Sequence, residues 1–317
     1  METINRRYIW LFFAILVAVM VGAYVLNTLN TPLLNKPLPL RSDSSESSSY
    51  YIVKDTMGKI ILQTGLPVQV DDQYIDEHNV QYIVTQVDGQ NAVADVVNNA
   101  GPVSAETSAV SAQLPFIDVS IPAQAAAGKH VVIYHTHTDE SYAPSSGTAS
   151  QPAAGDVFSI GSILTDSLRK SGVSVTHSTA THDPHDINAY SRSRRTAVQL
   201  LKEQPDAVFD IHRDSAPASA YITSINGVET SRVMIVIGRS NPNMQANLSY
   251  AKTIKATADN LYPGLIRGIF IGKGDYNQDL YPRAILFEMG TEEIDIKLVE
   301  KAARFLGDVV THVLAAS

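Results

Sequence analysis

Three short segments of this 317-residue chain concentrate the side chains that could do chemistry. VVIYHTHTDE ends in His135, His137 and Glu140; AVFDIHRD ends in His212, Arg213 and Asp214; AILFEMG carries Glu288. Imidazole with carboxylate is a donor set that zinc takes in hydrolytic sites, where three protein ligands leave a position open for water. Such an ion brings the water's pKa near 7, and a carboxylate outside the ligand set can move the proton to a leaving amine. The chain has no cysteine, which excludes Cys-ligated zinc, Fe–S clusters, disulfides and thiol catalysis. Any metal must therefore be held by His, Asp and Glu.

His137 and Glu140 stand three apart and can reach one ion from a short turn, with His212 arriving from a distant strand. Period-two alternation puts His135 and His137 on the same side of an extended segment, so both could face the ion. One is expected to bind and the other to support it, and the spacing to Glu140 favours His137. Arg213 and Asp214 are expected behind the ligands or against substrate, Asp214 accepting from the other ring nitrogen of His212. Glu288 interrupts an apolar run, where an unpaired carboxylate is costly unless the site uses it. His177, His182 and His185 fall in a polar loop and are expected at the surface; His78, His130 and His312 have no supporting company. SRSRR, with Arg192 and Arg194, reads either as a solvated helix start or as a clamp for a substrate carboxylate.

These residues need rigid elements behind them. From Lys129 onward, strand-like runs (HVVIYH, VSVTHS, AVFDIH, RVMIVIG, AILFEMG) alternate with helical periodicities. The helical stretches are SIGSILTDSLRKSG, SRSRRTAVQLLKEQ, NMQANLSYAKTIKATADNLY and IKLVEKAARFLGDVVTHVL, the first closing at Gly172. This alternation predicts an α/β domain over 129–317 with an open, mainly parallel sheet and flanking helices, folding without residues 1–128. Its length is short for an eight-fold barrel of ~250 residues. In an open sheet the site lies beyond the carboxyl ends of the strands, where all three chemical segments end.

The residues before it divide further. Ile9 to Leu26 is an uncharged apolar stretch of 18 residues preceded by Arg6 and Arg7. That predicts a transmembrane helix within an anchor at 1–30, with everything after it outside the cytoplasm. Residues 31–50 read as a Ser/Pro-rich tether, 51–97 as a small antiparallel β module of about four strands with a hairpin at Asp88-Gly89, and 98–128 as a flexible linker. The net charge of −8 argues against nucleic acid as a partner.

YHTHTDESYAP, HDP followed by YSRSRRTA, DIHRDSAP, YPGLIRGIF and YNQDLYPRAILFEMG occur in this order, most densely over about 130–292. In this the chain resembles the stage II sporulation protein P family, with Asp139 where that family commonly has Ser and Ile211 where it has Leu. The resemblance implies a zinc-dependent peptidoglycan hydrolase, an N-acetylmuramoyl-L-alanine amidase with a second activity on peptide cross-links. It implies a fold akin to zinc amidases and carboxypeptidases, and Zn2+ as cofactor. It further implies an anchor in the mother-cell membrane at the sporulation septum, action during engulfment, and stage II sporulation proteins D and M as partners. Carried onto this sequence, the ligands are His135 or His137, Glu140 and His212, with Glu288 as the base. Arg192, Arg194, Asn277 and Gln278 become candidates for supporting the ligands or binding substrate. The competing readings are another metal-dependent amidohydrolase or peptidase, and a wall-binding scaffold without activity.

Overall fold

The most apolar runs of the chain become the middle of one long sheet. The structure, a computed structural model, describes residues 50–98, 126–186 and 188–317. The expected transmembrane segment and tether, and nearly all of the expected linker, lie outside these residues. No helix among the described residues is long and apolar enough to cross a membrane.

In chain order the described elements are β1 (Tyr51–Asp55), β2 (Ile60–Thr64), β3 (Gln73–Asp76), β4 (Gln81–Asp88) and β5 (Asn91–Asn98). Then come β6 (His130–Tyr134), a single helical turn α1 (Ala143–Ser146), α2 (Val157–Lys170), β7 (Ser174–His177), α3 (Ala189–Leu201) and β8 (Ala207–Asp214). A hairpin of β9 (Ile222–Ile225) and β10 (Val228–Ser231) precedes β11 (Val233–Gly238), α4 (Met244–Leu261), β12 (Ile266–Gly272), β13 (Ala284–Thr291) and α5 (Ile296–Ala315). Apolar spacing sets the helices: Val157, Ile160, Leu164 and Leu168 form the buried stripe of α2, whose chain reverses at Gly172 with φ 84°. Asp295 opens α5 by accepting from the Lys297 amide.

The sheet has eleven strands in the order β2-β1-β5-β4-β3-β12-β11-β13-β8-β6-β7. β13, β8, β6 and β7 are mutually parallel, while β11 pairs antiparallel with β13 and parallel with β12. The fold is thus mixed α/β, and β11 and β12 run against the direction that a mainly parallel sheet would give them. The β unit expected at 51–97 has five strands, and β1 joins β5 in parallel. It continues the main sheet, because β3 pairs antiparallel with β12 from Gly268↔Asp76 to Ile271↔Gln73.

Alternation along β8 sorts its side chains between two environments. Phe209 and Ile211 enter the larger core, together with buried residues of α2, α4 and α5. Val208 packs on the other face with Val132, Tyr134, Ala284 and, from α3, Ala197 and Leu200. His212 follows Val208 in period two, which puts it on the α3 side of the sheet.

Candidate metal centre

β6 ends at Tyr134, and the chain turns through residues 135–139 before Glu140 makes an isolated bridge to Ser150. That turn brings His137 and Glu140 to His212, with one candidate ligand atom from each lying within 4.8 Å of the others. All three are buried. His137 Nδ1 lies 3.1 Å and His212 Nδ1 3.6 Å from the same oxygen, Glu140 Oε1. Glu140 Oε2 accepts from the Arg213 amide at 2.9 Å, which fixes the carboxylate's orientation. On its far side, His212 Nε2 lies 3.0 Å from Asp210 Oδ1. A carboxylate behind a ligating imidazole fixes ring orientation and raises ligand basicity. Two imidazoles and a carboxylate converging in a buried site fit Zn2+.

Electrostatics bind the group together. Burial alone would raise the Glu140 carboxyl, yet His212 and His137 hold it well below its ordinary range. Burial alone would lower His212, and the carboxylates of Asp210 and Glu140 instead raise it well above. His137 is lowered, by burial and then by the neighbouring His185 ring. Glu288 stands opposite His212 in the β13·β8 register. Burial, and then the charge of Asp214, push its carboxyl well above the ordinary value. Glu288 Oε2 is buried and meets no hydrogen-bond partner among the described residues. A buried orphan oxygen beside the candidate ligands suits a group that handles a proton rather than one that holds structure.

Several residues singled out in the sequence do other work. His135 is completely buried away from this group, with Nδ1 on the Ile211 carbonyl at 3.0 Å and Nε2 on His177 Nε2 at 2.8 Å. Burial and the His177 ring lower it to about 3. The strand ends before residue 135, so alternation does not extend to 137 and the two rings part. Asp214 does not touch His212. Its Oδ1 accepts from Thr64 Oγ1 and the Gly65 amide at 2.9 and 2.8 Å, and its Oδ2 from the Tyr221 hydroxyl at 2.7 Å. The Arg213 guanidinium grips the carbonyls of Ser141 and Ala149.

The residues left open between supporting the site and binding substrate have partners within the protein. Arg192 holds the carbonyls of His182 and Pro184 and the Asp186 carboxylate. Arg194 makes a bidentate pair with Asp279, both contacts 2.7 Å, and reaches Asn277. Asn277 donates to the Tyr190 carbonyl and Ser193, and Gln278 bonds the backbone of Val236 and Gly238. These four residues brace loops around the site. His182, expected at the surface, is buried between the His135 carbonyl and Thr196 Oγ1.

Asp210 and Tyr190 join the site without having been singled out by residue type, and His185, expected at the surface, packs against it. Asp210 is legible in the sequence, since Asp-x-His on one strand shares a face by alternation. Tyr190 lies edge-on to His137, with ring centroids 5.5 Å apart, and parallel to His212 at 6.3 Å. His185 stacks on His137. Neither contact has a local signal, because both come from the loop and helix start after β7.

The family model described as stage II sporulation protein P matches residues 66–311. Stage II sporulation protein P of Bacillus subtilis (strain 168) is 29% identical over 216 residues, covering 60% of this chain and 53% of that protein. The matched region thus spans about half the length of that curated relative. Among solved structures, the CwlD amidase of Clostridioides difficile, in complex with the GerS lipoprotein, is similar at a TM-score of 0.43 and 12% identity, covering 60% of this chain and 100% of that one. The N-acetylmuramyl-L-alanine amidase Ami1 of Mycobacterium smegmatis is similar at a TM-score of 0.40 and 12% identity, covering 61% of this chain and 99% of that one.

Proposed function

This chain belongs to the stage II sporulation protein P family, and from that premise we propose that it is a zinc-dependent cell-wall hydrolase. Its reaction is cleavage of the amide between N-acetylmuramic acid and L-alanine in peptidoglycan. The observation that carries the reading is the convergence of His137, Glu140 and His212, with Glu288 opposite His212. Zn2+ held by these three residues would polarise the scissile carbonyl and make water a competent nucleophile near neutral pH.

The protein's own groups supply the remaining steps. Asp210 keeps the His212 ring turned so that its Nδ1 side faces Glu140. The Arg213 amide and the two imidazoles keep Glu140 ionised. Glu288 Oε2 takes the proton from the attacking water. Glu288, buried and with Oε2 free of hydrogen-bond partners among the described residues, then passes that proton to the departing nitrogen.

Anchoring through residues 9–26, action at the sporulation septum and work alongside stage II sporulation proteins D and M belong to the same proposal and rest on the family resemblance. The test is digestion of purified peptidoglycan by the zinc-loaded chain, with products identified by mass. Release of intact stem peptides beginning at L-alanine supports the amidase. Cleavage only within stem peptides would make it an endopeptidase, and no release at one zinc per chain would count against a hydrolase.

A further inference from the structure

His185 lies outside the group His137, Glu140 and His212, yet it is built against it. Its ring lies on that of His137 with centroids 3.7 Å apart and planes 24° apart. Its Nδ1 is 3.1 Å from Asp139 Oδ1, and Asp139, itself buried, accepts from Ser150 Oγ through its other oxygen at 2.5 Å. The backbone carrying His185 is pinned on both sides. The His182 amide donates to Thr138 Oγ1, Arg192 grips the carbonyls of residues 182 and 184, and the Ala153 amide donates to Asp183. This loop holds one flat ring over another.

The need for it follows from the local fold. His137 sits in a turn after β6, so no strand pairing fixes its side-chain direction. Tyr190 and His212 make T-shaped contacts with the ring, at 5.5 and 4.8 Å between centroids, and His185 supplies its one flat contact among the ring contacts described. Metal affinity depends on ligands held in the binding orientation by their neighbours. A face-to-face stack fixes the plane of a ring while leaving its nitrogens available.

We propose that His185 is a positioning residue for zinc: held by its pinned loop and stacked on His137, it fixes the plane of the His137 imidazole. This rests on the reading of His137, Glu140 and His212 as the zinc ligands. The parallel stack offers the flat of the His185 ring to its neighbour, so the shape of the ring matters more than its nitrogens.

The test is zinc affinity of the whole chain, measured by competition with a chromophoric chelator, alongside the melting temperature of the zinc-free protein. His185→Ala should weaken zinc binding by about 10-fold or more, the scale of residues supporting a ligand. His185→Phe, a flat ring without nitrogens, should recover most of that loss. Equal loss in both variants would overturn the proposal, because the residue would then act through a ring nitrogen. Unchanged affinity in His185→Ala would overturn it too. A fall in melting temperature in Ala that Phe restores, without any change in affinity, would show a purely structural role and equally overturn it. Failure of the unaltered chain to bind zinc would remove the underlying reading, and is told apart because it needs no substitution.

Discussion

Across β13 and β8, Glu288 and His212 are register partners, and the carboxyl is raised by burial and by Asp214. Its Oε2 has no hydrogen-bond partner among the described residues. Glu288→Gln keeps the shape and one acceptor oxygen but cannot take a proton. The variant should retain its zinc and lose turnover by at least about 10²-fold, the lower end of what a positioned general base contributes. A metal-free Gln variant would make Glu288 a ligand. The two histidines of HTHTDE should separate as cleanly. His137→Ala should lose zinc on dialysis. His135→Ala should retain it and instead lose stability, about 1–3 kcal/mol for each buried partner left unsatisfied, since both nitrogens of His135 bond within the protein. Equal metal loss in the two would place both rings at the ion. Sequence spacing favours His137, but it does not reveal where His135 goes. That is decided by where β6 stops and by His177, a residue 42 positions away.

At the scale of the element, β8 carries three acidic or basic side chains on one face, and period two makes Asp210, His212 and Asp214 look alike. The structure gives them three different surroundings. Asp210 lies behind His212 and also accepts from the amide and hydroxyl of Thr136, while Asp214 is enclosed by Thr64, Gly65 and Tyr221. Asp210→Asn should therefore weaken zinc binding by about 10–100-fold, as loss of a ligand's supporting partner does. Asp214→Asn should leave zinc affinity unchanged and lower the melting temperature. The reverse outcome would mean that Asp214 supports the metal. The strands that lead into the candidate ligands, β6 and β8, are legible in the sequence because they are largely apolar runs ending in polar residues. β12 carries a weaker strand signal because its IRGIFIG run has Arg267 at its second position and is interrupted by glycine, and Gly268 is where the Tyr74 ring packs. Asn226-Gly227 is a strong turn signal for the β9–β10 hairpin, but its flanking runs are short and polar and give no strand pattern of their own. Sequence leaves Arg192 and Arg194 open between a solvated helix start and a substrate clamp, because the partners of Arg194 lie more than 80 positions away.

For the whole molecule, residues 51–98 could be an appendage or a part of the main sheet. Composition and the stretch at 98–128 suggest an appendage. The contacts argue otherwise. β3 covers the edge of β12, a strand buried along its whole length, so removing it would leave apolar β12 as an open edge, a template for aggregation. The Tyr74 hydroxyl donates to the Arg267 carbonyl, and Arg239 pairs with Asp72, which is completely buried. Thr64 and Gly65 supply two of the donors that make the buried Asp214 carboxylate tolerable, two residues beyond His212. Gly65 comes so close that an added Cβ would lie 2.6 Å from Ser215 Cβ, so this joint is fitted to a glycine. A fragment of residues 129–317 would lose all of these contacts together and leave a buried carboxylate short of donors, which costs more than a missing surface pair. The expected outcome is that 51–317 is monomeric, binds one zinc and melts in one cooperative transition. The fragment 129–317 should aggregate or melt without a clear transition, and bind zinc weakly because β8 is no longer held beyond His212. Light scattering, calorimetry and zinc titration on the two fragments decide it. If 129–317 proves monomeric, with the zinc affinity and melting temperature of the longer fragment, the β unit is an appendage and the joint at Asp214 is dispensable to the site.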